Sequence, residues 1–405
     1  MPVKTLFLSA PWYNENEYMI KCGSRWPWIV KAPKPPPETR GLYNPFPFFM
    51  MYAAAYLSVS RVADVFVYDA GARNHTYKMF YDVVGEVDPE IVIMEVTTPS
   101  IGKDLDIARE LKKKGIEIAL SGTHASVFAD ELIKLPYIDY ILKGEYEVSS
   151  YEMCLMRTKK VYESHRIEHL DSLPSPYLTT DDSIYLYTDT FGFNFSMPQL
   201  QVWTSRGCPS RCSFCSWNHT MTNHNYRQRS VKSIGKELTA SIRKWKFKSV
   251  LFDDDTFNVG DKRVQEMCDF MDKVDINWQA MVKIDACSKH AFGIMRHSGC
   301  DGLKIGIETF SQRGLDALNK GGNADRNFET CDYLLDLGYN VFLSCIGNIP
   351  GETDEDRDIT KKKLSYLCSR GAKYQYPNLM SLPGTKLYDS GTLPKKETWK
   401  EYGHY

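Results

Sequence analysis

The sequence predicts an α/β protein built from two parallel-sheet modules, a doubly wound, Rossmann-like sheet followed by a partial, TIM-like (β/α)6 barrel. Three observations predict it. Short apolar runs alternate with amphipathic runs along most of the 405 residues, the pattern of parallel strands buried on both faces and joined by crossover helices. The alternation weakens once, near residues 160–198, and so separates two blocks. The length suffices for two cores of ordinary size.

In the first block KTLFLSA reads as a strand, PFFMMYAAAYLSVS as a helix and DVFVYDA as a strand. A helix near 76–86, the strand EIVIMEV, the helix GKDLDIARELKKKG, the strand EIALSG, the helix SVFADELIKL and the strand YIDYILKG follow. Sheets of this class bind ligands beyond the carboxyl ends of their strands, here the loops TTPS (97–100), SGTH (121–124) and KGEYE (143–147). Residues 12–47 interrupt the pattern with prolines and with Trp12, Trp26 and Trp28. So long an insertion is either a rigid surface loop or a lid over the ligand face. The second block places strands at QLQVWTSRG, KSVLFDDD, INWQAMV, GLKIGIE, NVFLSCIG and KYQYPNLMSL, with helices between them. Such units make a partial barrel with its chemistry at the carboxyl-end loops. The expected boundaries are a first domain over 1–155, a connector over 156–198, the barrel over 199–388 and a short tail over 389–405.

The formal net charge is −1, from 50 basic and 51 acidic residues, so no phosphate-seeking field argues for nucleic acid. The start, MPVKTLFLSAPWYNEN, lacks the basic flank and long apolar region of a secretory signal. The most apolar stretch, FPFFMMYAAAYLSVS (46–60), is too short to span a bilayer. A cytoplasmic protein without a membrane span is expected. The eleven cysteines are widely spaced outside residues 208–215 and there read as small buried hydrophobes of a reducing compartment.

RGCPSRCSFC (206–215) is different, because Cys208, Cys212 and Cys215 follow a strand in a glycine-containing loop. C-x3-C-x2-C holds three irons of a cubane cluster and leaves the fourth without a protein ligand. The same spacing with His219 as a fourth donor permits structural zinc.

TSRGCPSRCSFCSW resembles the cluster loop of the radical S-adenosylmethionine (SAM) superfamily, including the aromatic Phe214 before the third cysteine. FDDDTF (252–257), IGIETF (305–310), PGET (350–353) and LPGT (382–385) continue the likeness, in the family's order, over nearly all of 200–388. Upstream, FPFFMMYAAAYL and SGTHASVFADELIKLPYIDYILKGEYE are similar to the cobalamin-binding module of one branch, over most of 1–150. The resemblance implies a [4Fe-4S] cluster on Cys208, Cys212 and Cys215. Its open iron would accept the amino and carboxylate groups of SAM, so that one electron cleaves the carbon–sulfur bond. It further implies that Asp253, Asp254 and Asp255 hold the SAM ammonium, with an acidic helix N-terminus as the alternative. Glu308 resembles the carboxylate that receives the ribose hydroxyls. Lys283 stands where relatives often carry an arginine near the SAM carboxylate, a change that keeps the charge and loses the bidentate fork. The Pro-Gly turns at 350–351 and 383–384 would shape the adenine end.

The resemblance also implies cobalamin, cradled by Ser121, Gly122, Thr123 and His124 and by Gly144 and Glu145, with Thr97 and Thr98 beneath the ring. His75, His124 and His165 all lack the neighbours of a D-x-H-x-x-G cobalt ligand, so cobalamin would be held without a histidine of that motif. The implied activity is C-methylation. Cobalamin takes a methyl group from one SAM and delivers it to a substrate carbon activated by a 5′-deoxyadenosyl radical from a second, with ferredoxin or flavodoxin as electron donor. Two alternatives stay open: oxidation, cyclisation or rearrangement without methyl transfer, and a non-catalytic cobalamin or iron–sulfur carrier. Only about twenty residues follow LPGT, which predicts an open mouth and a polypeptide substrate, with a lipid, a tetrapyrrole or a natural-product intermediate as alternatives. The barrel mouth with Trp12, Trp26, Trp28, Phe46 and Phe48 is expected to build the pocket.

Overall fold

Six strands, β1 (Val3–Ser9), β2 (Ala63–Asp69), β3 (Ile91–Glu95), β4 (Glu117–Ser121), β5 (Tyr140–Leu142) and β6 (Lys160–Tyr162), form one parallel sheet in the order β2-β1-β3-β4-β5-β6. The computed structural model describes residues 2–11, 18–20, 29–31, 43–398 and 401. Trp12, Trp26, Trp28 and most of the insertion expected over 12–47 lie outside the described residues. Strand alternation sends Leu6, Leu8, Val92, Met94, Ile118 and Leu120 into one core and Phe7, Ile91, Ile93, Ala119 and Leu142 into a second. Burial on both faces is why these strands read as continuous apolar runs. β6 falls in the segment read as a connector; three residues, KVY, are too short to show a period.

The second core continues without a break into the barrel. The join is made by α1 (Phe48–Ser60), whose residues 48–55 and Leu57 are all buried, as a helix apolar on every side must be. Phe48 stacks on Trp203 with ring centroids 4.4 Å apart, and Phe49 meets the same ring edge-on at 5.1 Å. Phe46 packs between Tyr177 and Tyr187 at 5.2 and 5.0 Å. Phe46 and Phe48, expected at the pocket, therefore belong to the core joining the modules.

β7 (Gln199–Val202), β8 (Ser249–Phe252), β9 (Asn277–Val282), β10 (Cys300–Glu308), β11 (Asn340–Cys345) and β12 (Lys373–Gln375) follow one another in a parallel sheet, the partial barrel. Its amino end is closed by the connector. Gln199 Nε2 donates to the Asp189 carbonyl (3.2 Å) and to Gln279 Oε1 (3.0 Å), while Lys304 Nζ pairs with Asp189 Oδ2 at 3.1 Å. Access is left to the carboxyl-end mouth. Among the described residues no helix is long and apolar enough to cross a membrane.

Candidate active site

The cysteine loop opens where β7 ends. Ser205–Arg206 pairs antiparallel with Arg227–Gln228, folding 207–226 into a closed loop. A Cβ on Gly207, at φ +80°, would lie 2.1 Å from the Asn225 carbonyl oxygen, so glycine alone admits the crossing that leads into Cys208. Cys208, Cys212 and Cys215 then line one cleft together with Asp255, Lys283, Glu308 and Lys320. The cleft is partly open to solvent. Three thiols on one wall, with the remaining side open, fit a cubane. Among the described residues no group of three or more His, Cys, Asp or Glu side chains closes around a point as a single metal ion requires, whereas a cubane spaces its thiolates around a larger body. Burial pushes the Cys215 thiol up to about 12 and Cys212 upward, so their ionisation needs the positive charge that a bound metal supplies.

The loop is pinned from outside. Ser213 N–H donates to the Leu318 carbonyl (2.9 Å), Asn319 Nδ2 to the Arg211 carbonyl (2.7 Å) and Leu387 N–H to the Ser213 carbonyl (3.0 Å). His219, the alternative zinc donor, sits elsewhere. Its Nδ1 lies 2.6 Å from the Cys215 carbonyl, its ring meets His224 edge-on at 4.4 Å, and it lines a different cleft, between the modules.

The run of aspartates divides. Asp255 lines the thiol cleft. Asp254 is fully buried and accepts from Thr204 N–H (2.9 Å), Thr204 Oγ1 (3.1 Å) and Ser205 Oγ (2.6 Å), which fixes the entry to the cysteine loop. Asp253 is buried outside the cleft lining, with its N–H donating to the Val202 carbonyl at 2.9 Å. Asp254→Ala strands these buried donors and is expected to cost about 1–3 kcal/mol, seen as an earlier denaturation midpoint and poorer iron loading. Asp255→Asn is expected to hold the midpoint within about 0.5 kcal/mol while weakening SAM binding.

Glu308 ends β10 at a break in register with β11, at φ +65°, a conformation that re-aims its side chain. Oε1 accepts from Lys320 Nζ at 2.6 Å, and Oε2 is buried with no hydrogen-bond partner. A buried carboxylate oxygen left unpaired is costly, and on a cleft wall it is placed to receive a ligand's donor. Burial pulls the Lys320 pKa down, but Glu308 and Cys212 outweigh it and hold the ammonium above the usual lysine range. Sequence reasoning missed Lys320. The available signal is the LNKGG turn, whose Gly321 and Gly322 at φ +73° and +84° bring the chain back to the strand end. Lys283 lines the same cleft and is ion-paired with Asp285. Glu352 of PGET accepts from Thr309 Oγ1 at 2.7 Å, and Gly384 of LPGT packs on Val127 and Thr220 at the joint between modules.

On the first sheet the strand order reverses between β1 and β3, the point at which sheets of this class bind ligands in a crevice beyond the carboxyl ends of their strands. Thr97 and Thr98 follow β3; Ser121, Gly122, Thr123 and His124 end and follow β4. A Cβ on Gly122, at φ +95°, would lie 2.7 Å from the Val96 carbonyl, so these loops meet backbone to backbone. Thr98 Oγ1 lies 3.1 Å from His124 Nδ1, and burial pulls His124 down to about 3, so its ring is neutral. At the end of β1 the Ser9 hydroxyl is buried with no partner. An orphaned hydroxyl at the switch point fits a cofactor rimmed with amides, as cobalamin is. Gly144 and Glu145 stand apart from this group. Gly144 N–H donates to Ser126 Oγ at 2.9 Å, and both residues line the cleft between the modules.

Glu145 is committed to a buried ion cluster across the joint. Arg206 Nη1 pairs with Glu145 Oε2 at 3.0 Å and Arg206 Nη2 with Glu147, while Arg227 also grips Glu145. The Arg206 guanidinium lies over the rings of Tyr52 (4.7 Å) and Phe49 (5.1 Å). The residue preceding Gly207 and Cys208 is thus bolted to the first module.

Residues 203–364 match the Radical SAM superfamily. An uncharacterised methyltransferase of Pyrococcus horikoshii is 26% identical over 373 residues, 86% of this chain and 80% of that protein. An anaerobic magnesium-protoporphyrin IX monomethyl ester cyclase of Cereibacter sphaeroides is 24% identical over 347 residues, 78% of this chain, which spans only 55% of that protein. The fold matches that of the radical SAM methyltransferase TsrM from Kitasatospora setae, solved with cobalamin and a [4Fe-4S] cluster. The TM-score is 0.67 at 15% identity, covering 100% of this chain and 81% of that one.

Proposed function

We propose, on the premise that residues 203–364 form a radical SAM domain, that this chain is a cobalamin-dependent radical SAM C-methyltransferase. The observation that carries the reading is the unpaired Glu308 Oε2 on the wall of the cleft lined by the three thiols. Cys208, Cys212 and Cys215 would hold a [4Fe-4S] cluster; the crevice at Ser9, Thr97, Thr98 and Ser121–His124 would hold cobalamin. When bound, the cluster supplies an electron and an open iron for SAM, and cobalamin supplies a transferable methyl group. The chain's own groups do the positioning. Asp255 faces the SAM ammonium, Lys320 and Lys283 its carboxylate, and Glu308 the ribose hydroxyls. Asp254 and the Arg206 cluster hold the cysteine loop in register with the first module. The closed amino end of the barrel directs substrate through the mouth and keeps bulk water from that side.

Glu308→Gln removes the charge from a carboxylate meant for two hydroxyls. Charge-assisted hydrogen bonds contribute about 1.5–3 kcal/mol, so the KM for SAM is expected to rise about tenfold or more with cluster content unchanged. The deciding experiment is anaerobic reconstitution with both cofactors, followed by mass spectrometry of candidate substrates. S-adenosylhomocysteine, 5′-deoxyadenosine, methionine and a substrate heavier by a methyl group support the reading. A product without added mass favours the ring-forming alternative, for which the likeness to the cyclase speaks. SAM left intact leaves only a carrier. A polypeptide substrate, ferredoxin or flavodoxin as electron donor and an anoxic cytoplasm complete the proposal. Turnover of a small molecule with no binding of peptides would remove the first of these.

A further inference from the structure

Asp104 is a buried carboxylate that none of these roles uses. It lies in the first turn of α2 (Ile101–Lys113) and is 2% exposed. Ser100 Oγ donates to Asp104 Oδ2 at 2.6 Å, and Thr97 Oγ1 lies 2.9 Å from Ser100 Oγ. The three side chains form a file running from the protein interior to the half-buried Thr97, at the carboxyl end of β3 beside the topological switch point.

A file of two hydroxyls ending on a carboxyl group has two directions. With Asp104 ionised, Ser100 donates inward, Thr97 donates to Ser100, and the Thr97 oxygen is left to accept in the crevice. With Asp104 protonated, its O–H donates to Ser100, Ser100 donates to Thr97, and the Thr97 O–H donates outward. We propose that Asp104, acting through Ser100, is a positioning residue that sets whether Thr97 presents a donor or an acceptor to cobalamin bound in the crevice. The inference rests on the proposed cofactor and extends it to the lower face of the ring.

Burial raises the Asp104 carboxyl to about 7, against the opposing pull of the Ser100 hydrogen bond, so both directions are populated near neutrality. The elements packed against α2 bring Tyr77 and Tyr81 from the helix Tyr77–Val87, and Glu117 and the neutral His124 from β4 and the loop after it. On α2 itself Lys103 and Asp106 are exposed. Burial and the Ser100 hydrogen bond are the influences that set the direction of the Asp104 shift.

The test uses the full chain loaded with cob(II)alamin, with cobalamin stoichiometry measured first and absorption and electron paramagnetic resonance spectra then recorded across neutral pH. The wild-type protein is expected to show a one-proton spectral transition. Asp104→Asn and Ser100→Ala are expected to lose it while keeping cobalamin stoichiometry. A transition that survives in both variants, or none in the loaded wild type, overturns the inference. A wild-type chain that takes up no cobalamin overturns the cofactor reading itself, so the two failures are read apart. The apo protein gives a second readout. The folded pKa of Asp104 lies above its ordinary value of 3.8, so its ionisation opposes folding and the wild type should lose stability relative to Asp104→Asn as pH rises from 3.8 to about 7. A difference between them that is flat over that range contradicts the assignment of the proton to Asp104.

Discussion

Alanine in place of any one of Cys208, Cys212 and Cys215 is expected to abolish reductive cleavage of SAM and to leave the reconstituted chain short of iron and sulfide. The expectation follows from the donor set. The three thiols line a single cleft, and the neighbouring histidine that could replace one of them is turned to another cleft, its Nδ1 at the Cys215 carbonyl. Removing one donor leaves two on a cubane that already has an iron without a protein ligand, and a cluster so held is lost to solvent or chelators. The fold is expected to survive, because each change removes one small side chain and the loop stays tied through Ser213, Asn319 and Leu387. Normal melting with no cluster is the anticipated pairing. Full SAM cleavage by any of the single variants would contradict it.

Arg206→Met carries the second large effect, and it acts on stability first. The change keeps an unbranched apolar stem, though a shorter one, beside Tyr52 and Phe49 but takes the cation from Glu145 and Glu147, which are 2% and 1% exposed. Arg227 retains its hold on Glu145, so Glu147 is the carboxylate left uncompensated. Breaking a buried pair from one side costs about 3–5 kcal/mol, visible as a large drop in the urea midpoint. Because Gly207 and Cys208 follow directly, iron content after reconstitution should fall with it. Arg206→Met with Glu147→Leu should recover part of the stability. An unchanged midpoint in the single variant would mean that the joint does not depend on this cluster.

Much of this was legible in the sequence because parallel strands buried on both faces write themselves as apolar runs. All eleven strands read that way occur, and α1 was visible as a wholly apolar helix. β6 was not, since three residues carry no period. The site divides along similar lines. Cys208, Cys212, Cys215, Asp255, Lys283 and Glu308 lie at strand ends or just after them, where motif order locates them, and the structure brings them to one cleft. Lys320 is twelve residues beyond its strand, and only the folded turn returns it to Glu308. Asp254 could not be told from Asp255 by sequence, because adjacent residues of one type differ only in the direction they face once the loop is built. Glu145 read as a cofactor residue from its loop, while its partners Arg206 and Arg227 are more than sixty positions away for the nearer one and met it only through the joint between modules.

The claim beneath all of this is that one iron of the cluster is left open for SAM by a protein that offers it three thiolates. Mössbauer spectra of the reconstituted wild-type chain, enriched in iron-57 and recorded under anoxia with and without SAM, test it most directly. The account predicts a cubane in which one iron site alone changes its signal when SAM is added. A cubane whose irons all remain unchanged by saturating SAM, or a protein that assembles no cubane, would contradict it.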